Sequence, residues 1–425
     1  MLRLSGSQAI EIAQRMAPRI QIWDHSKAVV GRIQQRDGSI LDQVIVTTFN
    51  APRSFTGENT VEFSCHGNPL IVDAIIELAI HYGARMARAG EFTRQAVLNG
   101  KMTMLKAEAL NEVIHASSLD GISIAQSGLL GAVDSNEVQF RNRLLDIAAE
   151  LEAKMDYPQE DLSFESDEEI VDALMSIAAE ASETAETYKT NRIRLHGAKV
   201  AILGPVNAGK SSLFNHLVGS KRAIVSARPG TTRDIVERRV LMDGMEICFF
   251  DTAGARFDSD DPIENEGIQM GLELAHEADL CLLLHPAHQP LGVVLDIKTQ
   301  LEGSSFLMVA THCDLDSNPI YKFDCMISNI EELGIVELKN KIRTVLGFNK
   351  SIEGTKVVLS QRQQSLFQSI ADHVRHSAEA LSGFLGPAVA TEEITLALEE
   401  LASLRGADAR EHVLDRLFSK FCIGK

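Results

Sequence analysis

The sequence predicts an α/β plus all-α fold, in which a parallel sheet with flanking helices is inserted into a helical domain. Three observations favour this class. Residues 1–100 mix strand-like and helix-like runs, residues 101–196 and 350–425 space apolar side chains as helices do, and residues 197–349 alternate short apolar strands with helices. Such alternation is typical of a parallel sheet with crossover helices. We therefore expect an N-terminal α/β domain, a two-part helical domain and an inserted α/β domain, divided at these positions.

The N-terminal segment contains the elements of a small α/β domain. Helix-like spacing marks Ser7–Met16 and Leu70–Tyr82, and strand-like runs occupy Gln43–Thr48 and Thr60–Ser64. Turn-forming residues such as Gly38 separate these runs.

The helical domain follows a periodic apolar pattern over residues 105–156. Tyr157 and Pro158 interrupt this pattern. Ser166, followed by acidic residues, predicts the start of another helix that runs to about Arg194.

The inserted domain contains four short apolar runs that predict buried strands. They are Val200–Leu203, Glu246–Phe250, Asp279–Leu284 and Phe306–Ala310. No internal repeat is visible.

The charge of the chain bears on its partners. The formal net charge is −18, and there is no block of Lys or Arg. Proteins that hold nucleic acid unaided usually present a basic face to the phosphates. If this chain acts on a nucleic acid, we expect a partner protein to hold most of it.

The six cysteines are scattered and form no C-x-x-C pair, which argues against a zinc site. We expect these cysteines to be reduced thiols. The first residues do not resemble a signal peptide, and no apolar run reaches the roughly 18 residues of a membrane helix. We expect a cytoplasmic protein.

Residues Gly204–Ser211 fit the phosphate-binding pattern G-x-x-x-x-G-K-[ST]. They follow the strand Lys199–Leu203 and precede the helix-compatible run Ser212–Leu217. The amides of such a loop surround phosphate oxygens, Lys210 would reach the β and γ phosphates, and Ser211 would ligate Mg²⁺. The alternative, a glycine-rich turn before a helix, is disfavoured by the strand–loop–helix order. The predicted contacts are Asn207, Ala208, Gly209, Lys210, Ser211 and Ser212.

Two further segments follow in the order of a nucleotide switch. Asp251–Gly254 comes directly after the strand Glu246–Phe250, so its acid would approach Mg²⁺ and its glycine amide the γ-phosphate. Gly230–Asp234 is a candidate first switch, although alone it would be a plain loop. The predicted contacts are Thr231, Thr232, Asp251, Thr252, Ala253 and Gly254.

One segment takes the place of the guanine-reading pattern N-K-x-D, with Thr311 for Asn, His312 for Lys and Asp314 kept. Asp314 would accept hydrogen bonds from guanine N1 and N2. Thr311 can still hydrogen-bond, whereas His312 brings less charge and a shorter aliphatic stem than Lys. Ser328 and Asn329 stand where a Ser-Ala loop is usual. We predict guanine as the base, with affinity reduced by these changes.

The residue that orients the attacking water is less obvious. Many small GTPases carry Gln just after D-x-x-G, and this chain has Ala255. Either hydrolysis is weak or another residue orients the water. Glu264 lies within loop reach in an acidic stretch, although a charged loop of this kind is usually only solvated.

Short motifs near both ends of the chain identify a family. They are Phe55–Glu62, His66-Gly67, Gly90–Arg94, Leu98–Lys101 and Phe421–Lys425. Together with the P-loop, they resemble the MnmE (TrmE) family of tRNA-modifying GTPases over nearly the whole chain. The combination is specific, although each motif alone is short.

The resemblance implies a homodimer through folate-binding N-terminal domains, and a heterotetrameric complex with the FAD-dependent partner MnmG (GidA). Together they would install a 5-carboxymethylaminomethyl group on the wobble uridine (U34) of tRNAs. The one-carbon unit would come from 5,10-methylene- or 5-formyl-tetrahydrofolate, and the reaction would also use glycine. The partner would hold most of the tRNA.

The family also implies roles for single residues. K⁺ would stimulate hydrolysis in place of an arginine finger, and its implied ligands are Asn207, Ser226, Arg228 (by its backbone) and Thr231. Ser211 and Thr232 would ligate Mg²⁺, and Glu264 would orient the water. The implied folate contacts are Arg3, Glu62, Lys101 and Lys425. Cys422 resembles the family's functional cysteine, or is a small buried hydrophobic residue.

This chain also departs from the family pattern. Members usually begin with a further strand, Thr-Ile-Ala-x-x-Ala-Thr, before the segment that matches Leu2–Gly6. A mis-set start codon or a true truncation would explain the difference, and loss of that strand would weaken the N-terminal sheet and the folate pocket. Lys101-Met-Thr-Met replaces a more usual Lys-Leu-Asp-Leu. These changes leave open a degenerate or non-catalytic GTP-binding paralogue that acts as an assembly or scaffolding factor.

Overall fold

The computed structural model describes most of the chain, and its contacts divide it into two compact units. The described residues are 1–21, 23–156, 165–205, 207–218, 236–242, 244–251, 272–301, 303–315, 321–348, 357–383, 385–406, 418 and 421. The first unit contains Met1–Asn111, Glu137–Leu162 and Pro387–Lys425, and the second contains Glu112–Asn136 and Ser163–Gly386.

An antiparallel sheet in the order β1-β4-β3-β2 organises the first unit. Its strands are β1 Leu2–Ser5, β2 Ala28–Gln34, β3 Ile40–Phe49 and β4 Thr60–Ser64. Burial alternates along β3, where Val44 and Val46 face the core together with Phe63 of β4. Such alternation places one face of the sheet on a core, and burial of a side chain such as Phe63 contributes about 1.5–3 kcal/mol. The two predicted strands are confirmed, whereas β1 and β2 were not predicted.

Three helices of the first unit are α1 Ala9–Met16, α2 Pro69–His81 and α3 Glu91–Leu98. The first packs Ile12 and Met16 into the core of the sheet. At the start of α2, the Asn68 side chain accepts a hydrogen bond from the Leu70 amide at 3.0 Å, and proline occupies the first helical position. Both α1 and α2 match their predicted spans, whereas α3, which follows Gly90 with φ of 63°, was not predicted as a helix.

The next segment of the chain is helical, as predicted, but it is divided into separate helices. They are α4 Met104–His115, α5 Leu119–Leu129, α6 Ala132–Asp156 and α7 Asp167–His196. Ser118 caps α5 by accepting from the Gly121 amide at 2.9 Å, and Gly131 between α5 and α6 has φ of 100°. At the start of α7, the Glu169 amide donates a hydrogen bond to the Ser166 hydroxyl, and the Ser166 amide donates one to the Glu169 carboxylate. This capping box confirms the predicted helix start.

A six-stranded sheet in the order β10-β9-β8-β5-β7-β6 forms the centre of the second unit. Its elements are β5 Ala198–Leu203, α8 Lys210–Val218, β6 Val236–Met242, β7 Met245–Asp251, β8 Leu280–Pro286, α9 Gly292–Gln300, β9 Phe306–Thr311, β10 Cys325–Met326 and α10 Ile335–Val345. The prediction of a parallel sheet is corrected at one edge, where β6 runs antiparallel to β7. Only two residues separate these strands, and Gly244 there has φ of 87°. A connection this short permits only an antiparallel pair.

Both faces of this sheet are covered, so its inner strands are continuously apolar. Every residue of β8 is buried. Along β5, Val200 and Ile202 belong to one core cluster, whereas Ala201 and Leu203 belong to a second cluster on the opposite face. The carboxyl ends of β5, β7, β8 and β9 therefore meet at one edge of a rigid sheet, where ligands of open α/β sheets bind.

Helix α7 leads directly into this sheet through Gly197. The Asp279 carboxylate accepts hydrogen bonds from the Arg192 guanidinium and, at 2.8 Å, from the Lys199 amide. At Gly197, φ is 82°, and a Cβ would lie 2.7 Å from the Glu246 carbonyl oxygen. A side chain there would clash with β7, so glycine is required where the helix ends.

Two more helices complete the described chain, α11 Gln361–Ser382 and α12 Pro387–Arg405. Within the second unit, α11 packs along α7, and its buried residues include Phe367, Ile370 and Val374. None of the described helices is long and apolar enough to cross a membrane.

Candidate nucleotide-binding site

The P-loop turns sharply between the end of β5 and the start of α8. Gly204 has φ of 148°, and a Cβ there would lie 2.4 Å from the Leu284 carbonyl oxygen of the neighbouring strand β8. Asn207 and Gly209 are also left-handed, with φ of 61° and 82°. Glycine is therefore needed where the loop touches β8, and the turn brings the loop back over the sheet edge.

The Lys210 side chain is folded into the loop that precedes it. Its Nζ donates hydrogen bonds to the carbonyl oxygens of Gly204 at 2.8 Å and Pro205 at 2.9 Å, and the residue is 8% exposed. The ammonium is thus held at the centre of the loop. Ser211 and Ser212, in the first turn of α8, are exposed, and Ala208 is buried. The N-terminus of α8 thus presents the held ammonium of Lys210 and the exposed hydroxyl of Ser211. This combination suits a phosphate chain.

Asp251 is the last residue of β7, the strand beside β5. Its backbone lies opposite Ile202, one residue before the end of β5. The acid is therefore placed at the same sheet edge as the P-loop, one strand away, which is the position that a Mg²⁺-binding acid requires in this fold class.

Asp314, the predicted base reader, is held by a buried serine. The Ser328 hydroxyl donates to Asp314 Oδ1 at 2.7 Å and accepts from the Glu331 amide at 3.3 Å. Ser328 is fully buried, whereas Asp314 is exposed. The hydrogen bond from Ser328 is the largest cause that holds the pKa of the Asp314 carboxyl below its ordinary value. The carboxylate therefore stays ionised and keeps one oxygen available as an acceptor.

Asn329 connects this base-reading loop to the P-loop. Its Nδ2 donates to the Gly209 carbonyl oxygen at 3.4 Å. A Cβ on Gly209 would approach the same nitrogen to 3.0 Å. The two loops, 120 residues apart in sequence, therefore touch through one carboxamide. The sequence placed Asn329 in the site but did not predict this contact.

His312 also lies beside the P-loop. Thr311 is fully buried, and its hydroxyl lies 3.2 Å from His312 Nδ1. The His312 ring is T-shaped against that of His288, with 6.0 Å between the ring centroids. His288 was missed in the sequence, where nothing marks it, because it follows a different strand, β8.

The described part of the second unit thus brings three predicted groups together: the P-loop, Asp251 and the base-reading loop. The roles of these groups in nucleotide binding stay predictions. The other predicted nucleotide, metal and catalytic residues lie outside the described residues. They are Ser226, Arg228, Thr231, Thr232, Thr252, Ala253, Gly254, Glu264 and Cys422.

A separate cavity of about 530 Å³ lies in the first unit, beside β1. Apolar side chains of Ile12, Met16 and Ile75 line it, together with Arg3 and Arg85. Arg85 pairs with Glu91, and this hydrogen bond is the largest cause that lowers the pKa of the Glu91 carboxyl. Glu58 and Glu91 line it as well, so the cavity combines an apolar wall with guanidinium and carboxylate groups. Such a lining suits a flat ligand that carries both hydrogen-bond donors and an anionic group.

Two of the predicted folate contacts form one ion pair. Arg3 lies opposite Glu62 across the β1–β4 pair and donates from Nε to Oε1 at 2.8 Å. Its guanidinium also lies 5.1 Å from the ring centroid of Phe55 and 5.5 Å from that of Phe92. Arg3 lines the cavity, whereas Glu62 and Lys101 do not. Lys425 lies outside the described residues.

Comparisons with known proteins cover the full chain. Residues 104–422 match the family described as the MnmE helical domain, and residues 1–101 match that described as the GTP-binding protein TrmE N-terminus. The tRNA modification GTPase MnmE of Chlorobium chlorochromatii is 32% identical, over 100% of this chain and 95% of that protein. The Akkermansia muciniphila protein of the same name is 34% identical over the same shares.

One solved structure, the G domain of the T. maritima FeoB iron transporter, is 25% identical and covers 35% of this chain and 98% of its own. The TM-score of this match is 0.28. The chain belongs to the MnmE family of tRNA modification GTPases.

Proposed function

We propose that this chain binds GTP at the described loops and hydrolyses it in a Mg²⁺-dependent, K⁺-stimulated reaction that serves tRNA modification. The contact that carries the proposal is the hydrogen bond between Asn329 and Gly209. It joins the loop that holds the Lys210 ammonium to the loop that holds the Asp314 carboxylate. One bound molecule with phosphates at one end and guanine at the other could contact both loops at once.

The residues present fit the two metal ions. The exposed Ser211 hydroxyl follows the buried Lys210, so it can ligate Mg²⁺ beside the phosphates that the ammonium holds. The exposed, left-handed Asn207 presents a side-chain oxygen, which is the ligand type that K⁺ accepts. When bound, K⁺ supplies positive charge near the leaving phosphate, where an arginine finger acts in other GTPases.

Three side chains of the chain would each have a separate role in hydrolysis. Lys210 neutralises charge on the β and γ phosphates as the bond between them breaks. Glu264 would orient the water whose oxygen joins the γ-phosphorus, so that water and GTP become GDP, inorganic phosphate and a proton. Asp314 fixes the base and thereby the position of the phosphates.

The proposal is tested by steady-state GTP hydrolysis in K⁺ and in Na⁺ at equal ionic strength, with ATP as a control. We expect turnover of GTP that is faster in K⁺, and little turnover of ATP. A folded protein that hydrolyses neither nucleotide in either salt would contradict the proposed reaction.

Asn207→Ala should remove the K⁺ stimulation while nucleotide binding is kept. Alanine has no oxygen to offer the ion, and Asn207 is exposed, so the fold loses no packing. The measurement is the ratio of hydrolysis rates in K⁺ and Na⁺. Asn215→Ala, at an exposed position in the following helix α8, is the matched control and should keep the ratio of the parent. A K⁺ response that survives Asn207→Ala would exclude this residue as the ligand.

Glu264→Ala should slow hydrolysis by roughly 10²-fold, the scale for loss of a group that positions the attacking water, with GTP affinity unchanged. Single-turnover hydrolysis beside a GTP-binding titration separates the two effects. Glu266→Ala, two residues away in the same acidic stretch, is the control and should behave as the parent. Equal rates for the Glu264 and Glu266 variants would remove Glu264 from the mechanism.

We infer further that the chain acts with a FAD-dependent partner of the MnmG type on the wobble uridine of tRNA, with a tetrahydrofolate as one-carbon source. The cavity beside Arg3 supports a folate site, because it pairs apolar walls with guanidinium and carboxylate groups that could bind a ligand with donors and an anionic tail. Wobble-uridine analysis in a deletion strain that carries this gene tests the inference. Unmodified uridine despite good expression would favour the alternative of a non-catalytic GTP-binding paralogue. The homodimer, the domain boundaries and the cytoplasmic location stay predictions.

A further inference from the structure

The Asn329 side chain lies between the P-loop and the base-reading loop. A backbone carbonyl only accepts hydrogen bonds, so the side-chain nitrogen of Asn329 must be the atom that faces the Gly209 carbonyl oxygen, at 3.4 Å. The side-chain oxygen is buried and has no hydrogen-bond partner among the described residues. A buried acceptor without a donor costs free energy of folding, so stability of the fold alone does not account for a carboxamide at this position.

The carboxamide is attached to a part of the chain that is held to its neighbours by backbone hydrogen bonds. Asn329 follows β10, and the Ile327 amide donates to the Ala310 carbonyl oxygen of β9 at 2.8 Å. The Ser328 amide donates to the Leu333 carbonyl oxygen at 3.1 Å. The base-reading loop is therefore fixed to the sheet, and the P-loop cannot move away from it without breaking the contact from Asn329.

On its other side, the contact falls where the P-loop turns into α8. The Gly209 carbonyl oxygen also accepts from the Leu213 amide at 2.9 Å, in the first turn of this helix. Gly209 directly precedes Lys210, whose Nζ is held inside the loop. Asn329 therefore holds the peptide group that links Gly209 to Lys210, at the centre of the turn that would surround the phosphates.

Two departures from the usual motifs concern the same chemical group. The base-reading pattern N-K-x-D carries a carboxamide at position 311, where this chain has threonine. Thr311 is fully buried, and its hydroxyl lies 3.2 Å from Nδ1 of the next residue, His312. Position 329, where alanine is usual, carries asparagine. One carboxamide is thus absent from the end of β9, and another is present just after β10, the strand beside it.

We propose that Asn329 is a positioning residue of the nucleotide site, which ties the P-loop to the base-reading loop and slows nucleotide release in place of the carboxamide absent at position 311. The inference rests on the proposed GTP binding. A nucleotide that contacts both loops leaves when the loops separate, so a bond between the loops lowers its dissociation rate. Changes within one binding site act mostly on dissociation, so the association rate should change little.

The test measures release of a fluorescent GDP analogue, chased by excess GDP, from the parent, Asn329→Ala and Glu332→Gln. We expect release from Asn329→Ala to be about threefold to tenfold faster, the scale for one neutral hydrogen bond, with the association rate unchanged. Glu332→Gln is the matched control, because Glu332 lies on the same loop, 3.9 Å from His216 of α8, with its side chain 76% exposed. Exposed pairs contribute little, so this variant should release GDP as the parent does.

Two further readouts separate a positioning role from a contribution to folding. The melting temperature of Asn329→Ala without nucleotide should stay close to that of the parent, because the lost hydrogen bond is offset by removal of a buried acceptor that has no donor. Thr311→Asn, added to Asn329→Ala, returns a carboxamide to the base-reading pattern and should restore slow release. Thr311 is fully buried, so the double variant is first checked for folding, and the single variants decide alone if it unfolds.

The outcomes separate this inference from the proposed function. If the parent binds GDP and Asn329→Ala releases it as slowly as the parent, or if Glu332→Gln releases it as fast as Asn329→Ala, the inference is wrong. Fast release that persists in a folded double variant also overturns it, because Asn329 would not replace the missing carboxamide. If the folded parent binds no GDP, GTP binding itself is wrong and the inference falls with it. Fast release from Asn329→Ala that Thr311→Asn reverses supports both.

Discussion

Replacing Lys210 by alanine should abolish nucleotide-dependent stabilisation and lower GTP hydrolysis by about 10²–10³-fold, the cost of removing one preorganised charged donor. The ammonium is held inside the P-loop by the carbonyl oxygens of Gly204 and Pro205, and the residue is 8% exposed. The loop thus holds this group ready before any phosphate arrives, so little reorganisation is needed on binding.

The matched control is Lys199→Ala, because Lys199 lies on β5, the same strand that leads into the loop, and is exposed. A ligand that binds only the folded state adds RT ln(1 + [L]/Kd) to the free energy of unfolding, so the melting temperature rises with the ligand concentration relative to Kd. GDP should therefore stabilise the parent and the Lys199 variant but not the Lys210 variant. Comparable stabilisation of all three proteins by GDP would show that the phosphates bind elsewhere.

In the six-stranded sheet, the strands that the sequence predicted are those whose burial leaves a continuous apolar run. β8 is buried along its whole length and matches the predicted run closely. The edge strand β6 was missed because its sequence, Val236–Met242, carries a glutamate and two arginines in succession. An edge strand pairs on one side only and tolerates such charges. A search for apolar runs therefore does not find β6, and the run of residues alone does not show its antiparallel direction.

The sequence predicts candidate residues for the nucleotide site, but it does not predict the contacts between them. Motif spacing identified Lys210 and Asp314, because their chemistry depends on short-range pattern. The contact from Asn329 to Gly209 joins loops 120 residues apart, and His288 reaches His312 from a different strand. Such contacts depend on strand order and on the left-handed backbone of His312, which periodicity cannot reveal.

Asp314→Asn should weaken GTP binding by roughly 10²-fold, because one hydrogen bond to a charged acceptor is worth about 1.5–3 kcal/mol. The carboxylate accepts from the N1 and N2 groups of guanine, whereas an asparagine amide presents a donor to one of them. The same change should improve binding of xanthosine triphosphate, whose base carries an oxygen in place of the guanine amino group. Competition between the two nucleotides for a fluorescent GDP analogue measures both effects.

Two further variants decide whether Asp314 reads the base or only supports the loop. Asp296→Asn, an exposed change on α9, is the matched control and should leave both affinities unchanged. Ser328→Ala keeps the carboxylate but removes the 2.7 Å hydrogen bond that holds it. GTP affinity should then fall only about fivefold to tenfold, because the carboxylate keeps its charge and its bonds to guanine and loses only a support, a change of roughly 1 kcal/mol. Guanine should still be preferred. If Ser328→Ala and Asp314→Asn were equally damaging and neither changed the base preference, Asp314 would be a support for the loop, and another group would read the base.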